Sequence, residues 1–177
     1  MSKRPAGYRE LSFSSCQDLA AELDGLERAH REGRLAHLGS WSPGQIFQHV
    51  ARFMRYSFDG FPFRAPWFVA AIGRAMKPFI NTIKMRPGFK LPRGASDLLP
   101  DDDVPFAHGL AELREQMARL TAGERMQAKS PLFGALGHER WKRMHLGHAA
   151  MHLGFLVPDA SGGARTTPAE ERAPVKS

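Results

Sequence analysis

The sequence predicts an all-α fold, a helical bundle built as one domain, and three observations carry that expectation. Apolar residues recur at intervals of three and four in four separate stretches. No segment alternates as a half-buried strand would, and glycine and proline gather between the helical patterns. A chain of 177 residues, with 42% apolar and 24% charged residues, has the length and composition to bury one sizeable core.

The first helix is expected from near Ser15 to about Gly33, with Leu19, Leu23 and Leu26 spaced four and three apart. The second has the strongest start signal: Ser42-Pro43-Gly44-Gln45 is a capping box with proline at the first helical position. Trp41 and Ile46 suit a hydrophobic staple, and Ile46, Val50, Phe53 and Ser57 share one face before Pro62 ends the pattern. A third helix follows Asp101-Asp102-Asp103, whose charges suit the positive end of a helix dipole. Its stripe runs through Phe106, Leu110, Leu113, Met117 and Leu120 to Ala122-Gly123. A fourth helix is expected from about His138 to Leu156, stopped by Pro158.

Residues 60–100 are too many for a plain connection between the second and third helices. They are expected to hold their own helix near Trp67 to Lys84, interrupted or kinked at Pro78. The expected organisation is an N-terminal extension over 1–14, a bundle over 15–158 with the insertion 60–100, and a disordered tail over 159–177.

Charge is concentrated rather than spread. Between Arg55 and Arg93 there are eight basic residues against one acid, Asp59, so this segment alone equals the net charge of +7 of the whole chain. Phe68, Ile72, Ala75, Phe79 and Ile83 form one stripe of its helix and Arg74, Lys77, Asn81 and Lys84 another. The expectation is that the apolar stripe covers the bundle while the charges face water, so membrane contact is not expected. The pI near 10.1 does not imply sequence-specific nucleic acid binding, because neither a helix-turn-helix nor a zinc-finger pattern is present. No apolar run reaches the 18 or so residues of a membrane span, and residues 1–15 carry no continuous apolar block, so a cytoplasmic location is expected. One cysteine, Cys16, excludes an intramolecular disulfide and multi-cysteine metal sites.

The eight histidines are unevenly placed. His145, His148 and His152 lie on the last helix, within about 80° of arc shared with Trp141 and Phe155 at 100° per residue. They therefore occupy the face that those aromatic rings would bury. His49 flanks the apolar stripe of the second helix between Ile46 and Phe53. A buried imidazole needs a hydrogen-bond partner or a metal. For one histidine the hydrogen bond is the simpler account; three on one stripe and a fourth on another helix favour ligation. His148 and His152 are one turn apart, close enough for both to reach one ion. A third ligand from a facing helix would leave coordination positions open, as catalytic sites do.

These residues carry a family resemblance. His49 within Pro43-Gly44-Gln45-Ile46-Phe47-Gln48-His49, together with His148-x-x-x-His152, resembles the DinB-like, or YfiT-like, superfamily of metal-binding four-helix bundles. Leu38-Gly39-Ser40-Trp41-Ser42-Pro43-Gly44-Gln45 is similar to the start of its ligand-bearing second helix. Ser57-Phe58-Asp59-Gly60, the Ile72-Gly73 to Lys77-Pro78 segment and His152-Leu153-Gly154-Phe155-Leu156 resemble an uncharacterised branch of it. The resemblance implies a four-helix bundle with a long helical insertion between helices two and three. It implies a divalent ion, zinc or nickel first and iron or manganese after them, on His49, His148 and His152. His145 is surplus to that pattern: it could replace His148, act as an acid or base behind the ligands, or pack. Characterised relatives include thiol-dependent transferases and isomerases, which implies a small-molecule substrate such as a low-molecular-weight thiol and leaves a homodimer open.

Other chemistry has weaker support. Only Glu27-x-x-His30 fits the motif of a carboxylate-bridged di-iron site, which needs two. Asp101 to Asp103 read as helix capping before they read as a cation site. Cys16 lies near a helix start but has no readable base beside it. His37, His108 and His138 are expected in solvent. The leading expectation is a metal-dependent enzyme, a thiol-dependent transferase or a hydrolase. Its rival is a non-catalytic binding protein that uses the basic insertion to hold an anionic ligand or a membrane surface.

Overall fold

A computed structural model describes residues 4–77 and 96–158, and over these the chain is mostly helical, with five helices and two short strand pairs. Helix α1 (Cys16–Arg31) begins with a reciprocal cap in which Ser15 Oγ accepts from the Asp18 N–H and the Asp18 carboxylate accepts from the Ser15 N–H. Helix α2 (Pro43–Asp59) is capped in the same manner by Ser42 and Gln45. Helices α3 (Trp67–Met76), α4 (Phe106–Thr121) and α5 (His138–Leu153) follow. Strand β1 (Leu35–His37) pairs antiparallel with β4 (Leu156–Pro158), and β2 (Lys129–Ser130) with β3 (Gly134–Ala135).

The leucine spacing of the first helix buries as expected. Leu19, Leu23 and Leu26 of α1 join Ile46, Phe47, Val50 and Met54 of α2, Leu110 and Leu113 of α4, and Leu146 and Leu153 of α5 in one core. Helices α2 and α4 approach backbone to backbone. A Cβ on Gly44 would stand 2.1 Å from the Val104 carbonyl oxygen, and one on Gly109 would stand 2.2 Å from the Gly44 carbonyl oxygen, so neither position admits a side chain. This close crossing sets the position of α2 and therefore of His49. The N-terminal residues dock on the end of α5: the Tyr8 hydroxyl donates to the Met151 carbonyl at 3.0 Å and the Arg9 N–H to the Gly154 carbonyl at 2.9 Å. Among the described residues no helix is long and apolar enough to cross a membrane.

Several expectations are corrected. The last helix ends at Leu153 rather than Leu156, because Leu156–Pro158 turn away to pair with β1. Strands of two or three residues are too short for alternation to register in the sequence, which is why none was expected. The helix after the acidic triplet starts at Phe106, with Pro105 as its cap residue, so Asp101 to Asp103 do not cap it. The Asp101 carboxylate instead accepts from Arg52 and Gln48 of α2. His138 is not in solvent: its side chain is mostly buried and its Nδ1 accepts from the Met126 N–H at 3.1 Å.

The largest departure is α3. Phe68, Ile72 and Ala75, expected to cover the bundle, are exposed. The helix packs through its opposite side, where Ala70 is buried and a Cβ on Gly73 would stand 2.5 Å from the Leu132 carbonyl oxygen in the β2–β3 turn. The kink at Pro78, the stripe beyond it and the tail over 159–177 lie outside the described residues.

Candidate metal centre

Three of the four inward-facing histidines converge. One ring nitrogen each from His49, His148 and His152 lies within 4.8 Å of the other two. His49 comes from the buried face of α2, and His148 and His152 come from successive turns of α5. Ring centroids are 5.0 Å apart for His49 and His148, 4.5 Å for His49 and His152, and 4.5 Å for His148 and His152. Trp41 walls the group, stacked at 5.8 Å on His152 and tilted at 4.9 Å against His49. Phe53 closes the other side at 4.8 Å from His148.

Hydrogen bonding assigns the tautomer of His49. Its Nδ1 lies 2.6 Å from the Leu98 carbonyl oxygen, which only accepts, so Nδ1 carries the proton and Nε2 presents its lone pair. A backbone carbonyl in this role is the usual support for a metal-binding imidazole. The Leu98 carbonyl is held there by a clip on α2. Arg52 donates to the Leu99 carbonyl and, at 2.6 Å, to the Asp101 carboxylate, while Gln48 Nε2 donates to the same carboxylate at 3.0 Å. These two donors hold the Asp101 carboxyl below its usual range.

The imidazoles are neutral at pH 7. Burial lowers the pKa of His152 to about 3, with a further push from His49. Burial also takes His148 well below its ordinary value, helped by His152, His49 and His145. For His49 burial dominates over the opposing pull of the Leu98 carbonyl, and the Arg52 charge adds to the downward shift. Neutral imidazole is the form that binds a metal ion. His148 Nδ1 is buried and has no hydrogen-bond partner. An unsatisfied buried nitrogen costs about 1–3 kcal/mol. The donor set therefore suits an electrophilic ion.

His145 stands apart from the three. Ser57 Oγ has one proton, which it donates to the Met54 carbonyl at 2.6 Å, so at 2.9 Å it accepts from His145 Nε2–H. This leaves His145 Nδ1 as a buried lone pair without a partner, between Phe53 at 4.9 Å and Trp141 at 5.4 Å. Burial alone lowers its pKa to about 3. His37 and His108 are exposed, and exposed His30 stacks on Phe106 at 3.7 Å. Cys16 is half-buried at the first position of α1.

The supporting residues were less visible in the sequence than the histidines. Leu98 and Asp101 lie about fifty residues from His49, and no local pattern links them to it. Gln48 and Arg52, one before and three after His49, offered a faint signal: Gln48 is a polar residue on the buried side of a helix.

A family model described as a protein of unknown function (DUF1569) matches residues 6–159, and the chain belongs to that family. No curated protein and no solved structure matches it.

Proposed function

We propose that this DUF1569 chain is a metal-dependent protein of the DinB-like four-helix type, with one divalent ion held by His49, His148 and His152. The observation that carries the reading is the convergence of three neutral imidazoles, one with its tautomer set by the Leu98 carbonyl and one with a buried nitrogen lacking a partner. Zinc or nickel fits an all-imidazole donor set best; iron and manganese fit less well. When bound, the ion supplies Lewis acidity to a thiol, a water or a substrate oxygen.

The chain's own residues shape what else takes place there. Leu98 and the Arg52–Asp101–Gln48 clip keep His49 in one ring orientation. Trp41 and Phe53 exclude water from the flanks. Three protein ligands leave positions free for a small molecule, and the reaction class that follows is thiol-dependent transfer or hydrolysis. His145, one turn before His148, lies behind the group and orders the Phe53 and Trp141 rings.

Untagged protein purified without chelator should contain about one divalent ion per chain, as three protein ligands with open positions imply. Zinc or nickel added to the stripped protein should raise its melting temperature, since an ion at a hundred times its Kd adds about 2.7 kcal/mol. Substoichiometric metal and no thermal shift with either ion would sink the reading. With the ion in place, a screen of low-molecular-weight thiols against electrophilic acceptors, beside a screen of ester and amide hydrolysis, separates the two reaction classes.

A further inference from the structure

Helix α3 turns its apolar side away from the protein. Trp67 is 82% exposed, Ile72 62%, Phe68 54% and Met76 45%. At 100° per residue these four fall within about half a turn, on the side opposite Ala70 and Gly73, which seat the helix on the β2–β3 turn. The pattern is not a scatter of single exposed residues; it is one face of a helix about 15 Å long.

Arg74 borders this face beside Trp67, and further cations gather at the hairpin edge, on the seated side of the helix. Lys77 Nζ donates to the Ala135 carbonyl, Arg74 lies against Gly134, and Lys129 is the strand partner of Ala135, so three basic residues meet at the hairpin edge. Arg64 precedes the helix by three residues. None of the four is ion-paired among the described residues. The sequence contains no Asp or Glu between Asp59 and Asp97.

From this arrangement we infer that α3 is a membrane-docking helix: Trp67, Phe68, Ile72 and Met76 insert at the boundary between headgroups and acyl chains, while Arg64 and Arg74 at its edge engage anionic headgroups. Exposed Trp and Phe beside Lys and Arg is the composition of a helix that lies in the interface plane. Charge complementarity selects this occupant over a second copy of the chain, whose matching face would bring the same excess of cations into contact. Nucleic acid would engage the cations and leave the Trp67–Met76 face in water.

The experiment is flotation of the full chain with vesicles of equal parts phosphatidylglycerol and phosphatidylcholine, and with phosphatidylcholine alone, at about 50 mM and about 500 mM salt. The chain should float with the anionic vesicles at low salt and at least tenfold less with the neutral ones. Trp67 provides a second readout: Trp141 is fully buried and Trp41 is packed against His49 and His152, so a blue shift on insertion that Trp67→Phe abolishes reports the exposed Trp67. The variant Trp67→Ser/Phe68→Ser/Ile72→Ser, all at exposed positions, should lose flotation and keep its helical content by circular dichroism. Arg64→Glu/Arg74→Glu should lower partitioning at least tenfold, since each basic residue near an anionic surface contributes about fivefold. Three results overturn the inference. One is no flotation of the wild-type chain with anionic vesicles. Another is flotation that survives the serine substitutions, which reduces the effect to adsorption by charge. The third is a dimer in sedimentation that the serine substitutions dissolve, which assigns the face to a second copy.

Discussion

The α2–α5 seam and the outer face of α3 invert the usual arrangement of a soluble protein in opposite directions. In the seam, three histidines are buried and His152 is half-buried, and His145 and His148 each keep a ring nitrogen without a partner. On α3, four large apolar side chains stand in water. Polar groups inside and apolar groups outside both raise the free energy of the folded chain, by about 1–3 kcal/mol for each unsatisfied nitrogen and about 25 cal/mol for each Å² of apolar surface left in water. The seam is enclosed, and the partner proposed for it is an ion small enough to enter it. The α3 face is open, and the partner inferred for it is a surface.

The widest gap between the two regions is in folding stability. Leu113→Ala, at a fully buried position of α4, should cost about 3 kcal/mol, whereas Ile72→Ala on α3 should change stability by less than about 0.5 kcal/mol. Urea unfolding of both variants measures this directly. A comparable loss at Ile72 would mean that the α3 face is part of the core in solution.

Metal affinity separates the regions next. His49→Ala or His152→Ala should weaken zinc binding at least a hundredfold, about 2.7 kcal/mol, with helical content retained. The triple serine variant of α3 and His37→Ala should leave zinc affinity unchanged, as titration calorimetry would show. Equal affinity in His49→Ala would remove α2 as a source of ligands, and weakened zinc binding in the α3 variant would join two regions that the structure keeps separate.

The smallest effect concerns pH and isolates a buried histidine that is not in the group of three. His145 has a pKa of about 3 in the folded protein against an ordinary 6.5, so the unfolded chain takes up the proton first. Its contribution to stability is complete above pH 6.5 and declines as pH falls towards 3, by about 1.4 kcal/mol per unit or about 2 kcal/mol at pH 5. In metal-free protein, His145→Leu should therefore show a shallower fall of stability below pH 6.5, whatever its stability at pH 7. Parallel pH profiles for the variant and the wild-type chain would show that His145 is accessible to protons.

How much could be read without the fold depended on the range of each interaction. The capping boxes of α1 and α2, the leucine spacing of α1 and the stripe of α4 were legible because helix capping and periodicity act within four residues. His145, His148 and His152 were legible as one face for the same reason. Spacing alone did not say which of the three would meet His49, since it gives direction around α5 but not depth along the seam; the family resemblance named His148 and His152. The structure places His148 and His152 beside His49 and leaves His145 to Ser57.

By itself the sequence determined the helical class, the caps, the inward face of histidines and the concentration of positive charge between Arg55 and Arg93, all of which are local in the chain. Tertiary structure alone decided three things. It brought Leu98 to His49 across about fifty residues, through the clip of Arg52, Gln48 and Asp101. It ended α5 early by pairing Leu156–Pro158 with Leu35–His37. It also turned the apolar side of α3 outward, because an amphipathic helix packs by whichever side fits its neighbour. Gly73 and Ala70 let the backbone of α3 approach the Leu132 carbonyl, a contact that the large side chains of the opposite face cannot make.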